Sequence, residues 1–123
     1  MSVIVNWQDT RILEDGCGGS IYKVIDRDNS LLKNLEMAMC IFTPSEVSAR
    51  HHHDRIEEIY FILEGEGEIL IGEEWRNVKS GDAIAIPIGV RHQIKNVSYE
   101  NELRFLSINS PEWIPKDMII DNL

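Results

Sequence analysis

The chain has 123 residues, 43% of them hydrophobic, which is the size of one domain with one real core. Its 21 acidic residues against 12 basic ones give a formal net charge of −9. That balance argues against nucleic acid, whose phosphates need a clustered basic surface, and against an anionic membrane surface. No apolar run reaches the length of about 20 residues that spans a bilayer, and the opening MSVIVNWQDTRILEDG lacks the features of a secretion signal, so a cytoplasmic protein is expected.

In chain order, the apolar stretch SVIVNW (2–7) comes first and GCGGS (16–20) follows, read as a flexible turn because it lacks the lysine and spacing of a phosphate loop. Strands are predicted at SIYKVID (20–26), LEMAMCIF (35–42), IYFIL (59–63), EILI (68–71), DAIAI (82–86), HQIKNV (92–97) and LRFLSI (103–108), with turn residues between them. Leu35, Met37, Met39 and Ile41 alternate with Glu36, Ala38, Cys40 and Phe42, so the two sets fall on opposite faces of one strand. SLLKNLEMAM has some helical character, but the run continues into β-prone CIF and stops at Pro44. Many short strands at spacings near ten residues point to an all-β sandwich or barrel. The tail SPEWIPKDMIIDNL (110–123) carries two apolar clusters and is expected to pack back on the domain or on a partner subunit. Cys17 and Cys40 are far apart with no C-x-x-C, and two reduced thiols are expected.

The densest chemistry lies in HHHDRIEE (51–58), with the remaining histidine at position 92. If 49–53 ends a strand, His51 and His53 share a face and His52 points away. Such an H-x-H pair brings two imidazoles within reach of one metal ion, and further ligands must come from other strands. Glu58 opens the next apolar run, and His92 follows the turn PIGVR.

These residues resemble the two motifs of the cupin superfamily. The first pairs His51-x-His53 with Glu58 and Gly65 at the family's intervals, and departs only at its leading position, where Ser45 replaces a glycine. The second is matched throughout by Gly81, Pro87, Gly89, His92 and Asn96. The resemblance covers residues 45–96 and implies a small antiparallel jelly-roll β-barrel with the site in its mouth. It also implies that His51, His53, Glu58 and His92 are the ligands of one metal ion. Glu57 is a competing ligand, and the six-residue interval to Gly65 selects Glu58.

Three neutral imidazoles and one carboxylate suit a divalent transition ion such as Fe, Mn, Co, Ni, Cu or Zn. The site then keeps a single net positive charge, which favours an anionic or oxygen-rich ligand. Gly65 and Gly67 are read as a hairpin after the Glu58 strand, and Gly81 as the start of a turn. Pro87 and Gly89 are read as a bend aiming His92 inward, and Asn96 as a tie on the backbone. Tyr60 shares the inward face of its strand and is the candidate proton donor; its alternative role is a core aromatic. Arg91, Gln93 and Arg104 are weighed as carboxylate binders and not assigned.

The expected function is a metal-dependent enzyme acting on a small polar or anionic molecule, of dioxygenase, isomerase or decarboxylase type. Two alternatives stand beside it, a non-catalytic metal- or ligand-binding module and a metal-free epimerase-type catalyst. A homodimer built through SVIVNW or the Trp113 tail is expected by analogy with small proteins of the family.

Overall fold

The computed structural model describes residues 3–13 and 16–121. Its strands are β1 (Ser20–Ile25), β2 (Glu36–Phe42), β3 (His51–His53), β4 (Glu57–Glu64), β5 (Glu66–Ile71), β6 (Glu74–Lys79), β7 (Ala83–Ile86), β8 (His92–Asn96), β9 (Leu103–Ser110) and β10 (Met118–Ile120). Among the described residues the helical content is two single 3-10 turns, at Trp7–Asp9 and Pro115–Asp117. Every strand expected from the sequence is present within a residue or two of its bounds, and 30–39 forms no helix.

Two antiparallel five-stranded sheets face each other, in the orders β1-β2-β9-β4-β7 and β10-β3-β8-β5-β6. The architecture is the expected all-β one of jelly-roll type. Its inner layer joins Phe42, Tyr60, Ile62 and Phe105 of the first sheet to Ile69, Val78 and Ile94 of the second. Ile62 and Leu103 are fully buried there, and burying each apolar side chain of this size contributes about 1.5–3 kcal/mol.

The face of β2 that turns inward is the one carrying Glu36, Ala38, Cys40 and Phe42. Met39 and Ile41 lie on the outer face in a second cluster with Val24, covered by Val5 and Trp7. The N-terminal stretch weighed as a partner contact therefore lies partly on its own sheet, leaving Ile4 exposed; Ser2 is outside the described residues.

β6 and β10 were not anticipated. β6 is an edge strand on which only Val78 is buried, so its sequence, EWRNVK, carries almost no apolar alternation. β10 confirms that the tail packs back: Met118 pairs with His53 and Ile120 with His51, up to Asp121, and Asn122 and Leu123 lie beyond the described residues.

The reading of Gly65 and Gly67 as one hairpin needs correction. β4 and β5 belong to different sheets, so the chain changes sheet at this corner. Gly65 makes the turn at φ 90, while Gly67 lies inside β5, where a Cβ would stand 2.8 Å from the Lys95 carbonyl oxygen. GCGGS is likewise packed rather than free: Gly18 and Gly19 have φ 138 and 73 and abut Ser48 and Phe42.

Candidate metal centre

β3 is short, yet its alternation places the three histidines unambiguously. His51 and His53 are 2% and 3% exposed on the inner face, and His52 is half-buried on the other, 3.3 Å from Asp54 Oδ1. β8 lies beside β3 and its first residue, His92, pairs directly with His51. The Pro87–Gly89 bend delivers it there, with Gly89 N–H donating to the His53 carbonyl at 2.7 Å. One ring nitrogen from each of His51, His53 and His92 falls within 4.8 Å of the others.

The rings are oriented by backbone. Nδ1 of His51 lies 2.9 Å from the Ala49 carbonyl, Nδ1 of His92 lies 3.1 Å from that of Val90, and Nδ1 of His53 lies 3.1 Å from that of Asp117. A carbonyl only accepts, so each Nδ1 carries the proton and each Nε2 keeps its lone pair. Burial, with the neighbouring His92 ring, pushes the His51 pKa down to about 4. Burial also holds His53 below the ordinary value, so both rings stay neutral and able to ligate.

Glu58 comes from the opposite sheet and is 6% exposed. Its Oε1 lies 3.2 Å from Nε2 of His92 and 3.9 Å from Nε2 of His53. Its Oε2 accepts a 2.7 Å hydrogen bond from the Ser107 hydroxyl. Burial raises this carboxyl, but the His92 ring and the Ser107 hydroxyl outweigh it and hold the group below the ordinary value. Glu58 Oε1 and His92 Nε2 are both buried, and neither has an aligned hydrogen-bond partner. Two orphaned polar atoms facing each other beside two further free imidazole nitrogens are what a cation-shaped gap leaves behind. The donor set and the orphaned atoms thus fit a divalent transition ion.

His51, His53, Glu58 and Tyr60 line a cavity of about 50 Å³, together with Cys17, Cys40 and residues of β2 and β9. The Tyr60 ring packs against Phe105 at 4.7 Å and edge-on to His92 at 6.0 Å. Burial keeps its hydroxyl protonated, well above the ordinary pKa. The Cys17 thiol is pushed up to about 12 by burial, and both cysteines are free.

The other candidates lie elsewhere. Glu57 is exposed, Arg91 pairs with Asp121 at 2.9 Å, and Arg104 hydrogen-bonds Glu102. Gln93 donates to the Ser48 carbonyl. Asn96 ties backbone as expected, donating to the carbonyls of Phe42 and Asn101. Ser45, the one departure from the first motif, has φ 67, so it keeps the left-handed backbone that a glycine would favour.

Sequence reasoning missed Ser107, Asn109, Glu36 and Asp117. They lie on β2, β9 and the tail, outside both motifs. The one signal available was period two: Ser107 and Asn109 share a face with Leu103 and Phe105, which put polar groups on an otherwise apolar inner row.

The family model of the Cupin domain matches residues 38–109. An uncharacterised protein of Methanocaldococcus jannaschii is 31% identical over 104 residues, covering 76% of this chain and 82% of its own. The polyketide cyclase RemF from Streptomyces resistomycificus superposes with a TM-score of 0.82 at 22% identity, over 100% of this chain and 87% of that one. A structure of Bacillus subtilis oxalate decarboxylase, described with Mn(II) centres, superposes at 0.77 with 20% identity, over 98% of this chain and 33% of that one.

Proposed function

The chain belongs to the cupin family, and from that premise we propose that it is a metal-dependent enzyme for a small polar or anionic molecule, holding one divalent transition ion on His51, His53, His92 and Glu58. The observation that carries this reading is the gathering of three imidazoles, each fixed by a backbone carbonyl at Nδ1, with the partnerless Oε1 of Glu58 3.2 Å from Nε2 of His92 and 3.9 Å from Nε2 of His53. Such pre-orientation is what a metal site needs and an ordinary core does not. The Mn(II) centres of the oxalate decarboxylase, a protein of the same fold, point the same way.

When bound, the ion supplies a Lewis acid that holds ligand oxygens and stabilises negative charge as it develops. The chain's own residues do the rest. The Ser107 hydroxyl occupies Glu58 Oε2, so only Oε1 turns to the centre. Tyr60, kept protonated by burial, donates from the cavity wall and does not serve as a base. Ile62, Phe105 and Ile94 keep water away from the apolar side of the site, which strengthens every electrostatic contact within it. The likeness to a polyketide cyclase and an oxalate decarboxylase is one of fold, and one fold carries many chemistries.

The test is elemental mass spectrometry on untagged protein purified without added metal, beside a His92→Ala variant. One transition ion per chain, strongly reduced in the variant, is the expected result. No metal, and none taken up on reconstitution, would return the protein to the metal-free reading.

A further inference from the structure

The wall formed by β2 carries a second buried carboxylate. Glu36 opens β2 on its inward face and is 5% exposed. Its Oε1 accepts from the Trp113 backbone N–H at 2.6 Å and from Asn109 Nδ2 at 3.2 Å. Its Oε2 is buried with no hydrogen-bond partner. The Lys23 ammonium is 3.8 Å from that oxygen, beyond hydrogen-bond reach, and sits nearer Asp26 Oδ2, at 3.3 Å. Burial holds the Glu36 carboxyl above its ordinary pKa. A carboxylate oxygen left without a donor in a buried place carries a desolvation cost that an incoming donor removes.

Glu36 lines the same cavity as His51, His53 and Glu58. The sheet register sets it in one row with them: Glu36 stands opposite Asn109, and Asn109 opposite Glu58. Two strand spacings separate the backbones of the two glutamates, about 10 Å, and their side chains reach into the space between. Asn109 spans that row, its Nδ2 on Glu36 and its Oδ1 3.5 Å from the Ser107 hydroxyl that binds Glu58. The cavity of about 50 Å³ admits only a handful of heavy atoms.

We infer that Glu36 is the specificity-determining contact at the far end of the ligand: the molecule is a small hydroxylated carboxylate, with its carboxylate at the histidine centre and its hydroxyl donating to Glu36 Oε2. This rests on the reading of that centre as a metal site. The hydroxyl proton lies where the orphaned oxygen needs one. The carboxylate meets the positive end, and Lys23 with Asp26 keeps the Glu36 end close to neutral or negative, unsuited to a second anionic group.

The experiment titrates Co(II)-loaded protein with 3-hydroxypropionate, propionate and 3-methoxypropionate, following the visible spectrum of the ion. In the wild-type protein 3-hydroxypropionate should bind at least tenfold more tightly than propionate, as a hydrogen bond to a charged group warrants. The methyl ether, which retains the oxygen but has no hydrogen to donate, should show no gain. Glu36→Gln retains an acceptor for Trp113 and Asn109 but replaces Oε2 by an amide; it should lose the tenfold preference while Co(II) content and propionate affinity stay the same. An equal preference in Glu36→Gln, or an equal gain with the ether, would assign the hydroxyl to the ion and overturn the role of Glu36. If Glu36→Gln does not fold, the same titrations on Glu36→Asp, which draws the carboxylate back by one methylene, decide the matter: an undiminished preference there overturns the role of Glu36. Failure of the wild-type protein to take up Co(II) would overturn the metal reading and this inference together, a result distinct from uptake without preference.

Discussion

The backbone carbonyl of Asp117 lies 3.1 Å from Nδ1 of His53, a residue 64 positions earlier, so one ring of the histidine cluster is aimed by the tail. The contact exists because β10 pairs with β3, with Met118 opposite His53. The Asp117 carboxylate is also near, with Oδ2 at 3.6 Å and no hydrogen-bond partner. Backbone and side chain therefore make separable contributions. A chain ended after Ser110 should bind its metal about 10–100-fold more weakly, the usual cost of losing the group that orients a ligating histidine. Asp117→Ala leaves the carbonyl in place and should cost less than the truncation. Competition against a chelator of known affinity measures both, and equal losses would show that the side chain, not the strand, holds His53.

Ser45 gives a prediction about stability. With φ 67 it occupies the left-handed region, where a Cβ is crowded by the following carbonyl. The turn is held by Glu46, whose N–H donates to the Thr43 carbonyl and whose carboxylate accepts from Thr43 N–H and Gly19 N–H. Because the turn is fixed from outside, removing the Cβ should relieve strain without loosening it. Ser45→Gly should gain about 0.5–1 kcal/mol after the added flexibility of the unfolded chain is counted. Ser45→Val should lose stability, since a β-branched side chain fits this region worst. Thermal unfolding of the three proteins with metal removed checks both signs.

How legible this was from the sequence depended on where each residue lay. His51, His53 and His92 were readable because strand parity and two spaced motifs fix which way they face, and the β3–β8 pairing does bring them together. Glu58 was readable through its interval to Gly65, although Glu57 beside it is chemically equivalent; only the alternation of β4 buries one and exposes the other. Glu36 was assigned to a face but not to the site, because nothing local reveals that β2 runs beside β9 and so places Glu36 two strands from Glu58. β10 escaped because a three-residue strand in a proline-bearing tail has too little alternation to register. Local pattern specifies facing; the long-range pairing that builds the far wall of the cavity has no local trace.

Two glycines of the motifs have similar φ and different surroundings, which separates backbone strain from packing. Gly65 has φ 90 and Gly81 has φ 95. A Cβ on Gly81 meets nothing within 4 Å, whereas one on Gly65 runs into the Glu102 carbonyl and comes 3.1 Å from the Leu103 Cα. Gly81→Ala should therefore cost about 1 kcal/mol, the strain of the left-handed region alone. Gly65→Ala must also displace backbone where the chain passes between sheets, and should cost about 3 kcal/mol or more. Denaturant midpoints for the two variants test this; equal losses would mean that the corner can yield.

The histidine cluster also sets the acid limit of the metal-free protein. His51 lies at about 4 and His53 below its ordinary 6.5, in both cases first through burial. Folded protein then binds fewer protons than the unfolded chain as the pH falls from 6.5 towards 4, so stability is lost across that window. Glu58, held low by the His92 ring and the Ser107 hydroxyl against the effect of burial, adds a loss in the same direction below its ordinary 4.5. Glu36 opposes them, because burial raises its carboxyl above 4.5 and protonation relieves that cost. The histidine loss begins at the higher pH, near the ordinary 6.5 at which the imidazoles of the unfolded chain take up protons. The urea midpoint of chelator-treated protein should fall steadily between pH 7 and pH 5, and His51→Gln should flatten the profile by removing the more strongly shifted imidazole. A midpoint unchanged over that range would show that the imidazoles accept protons in place, and the neutral, pre-oriented cluster would have to be abandoned.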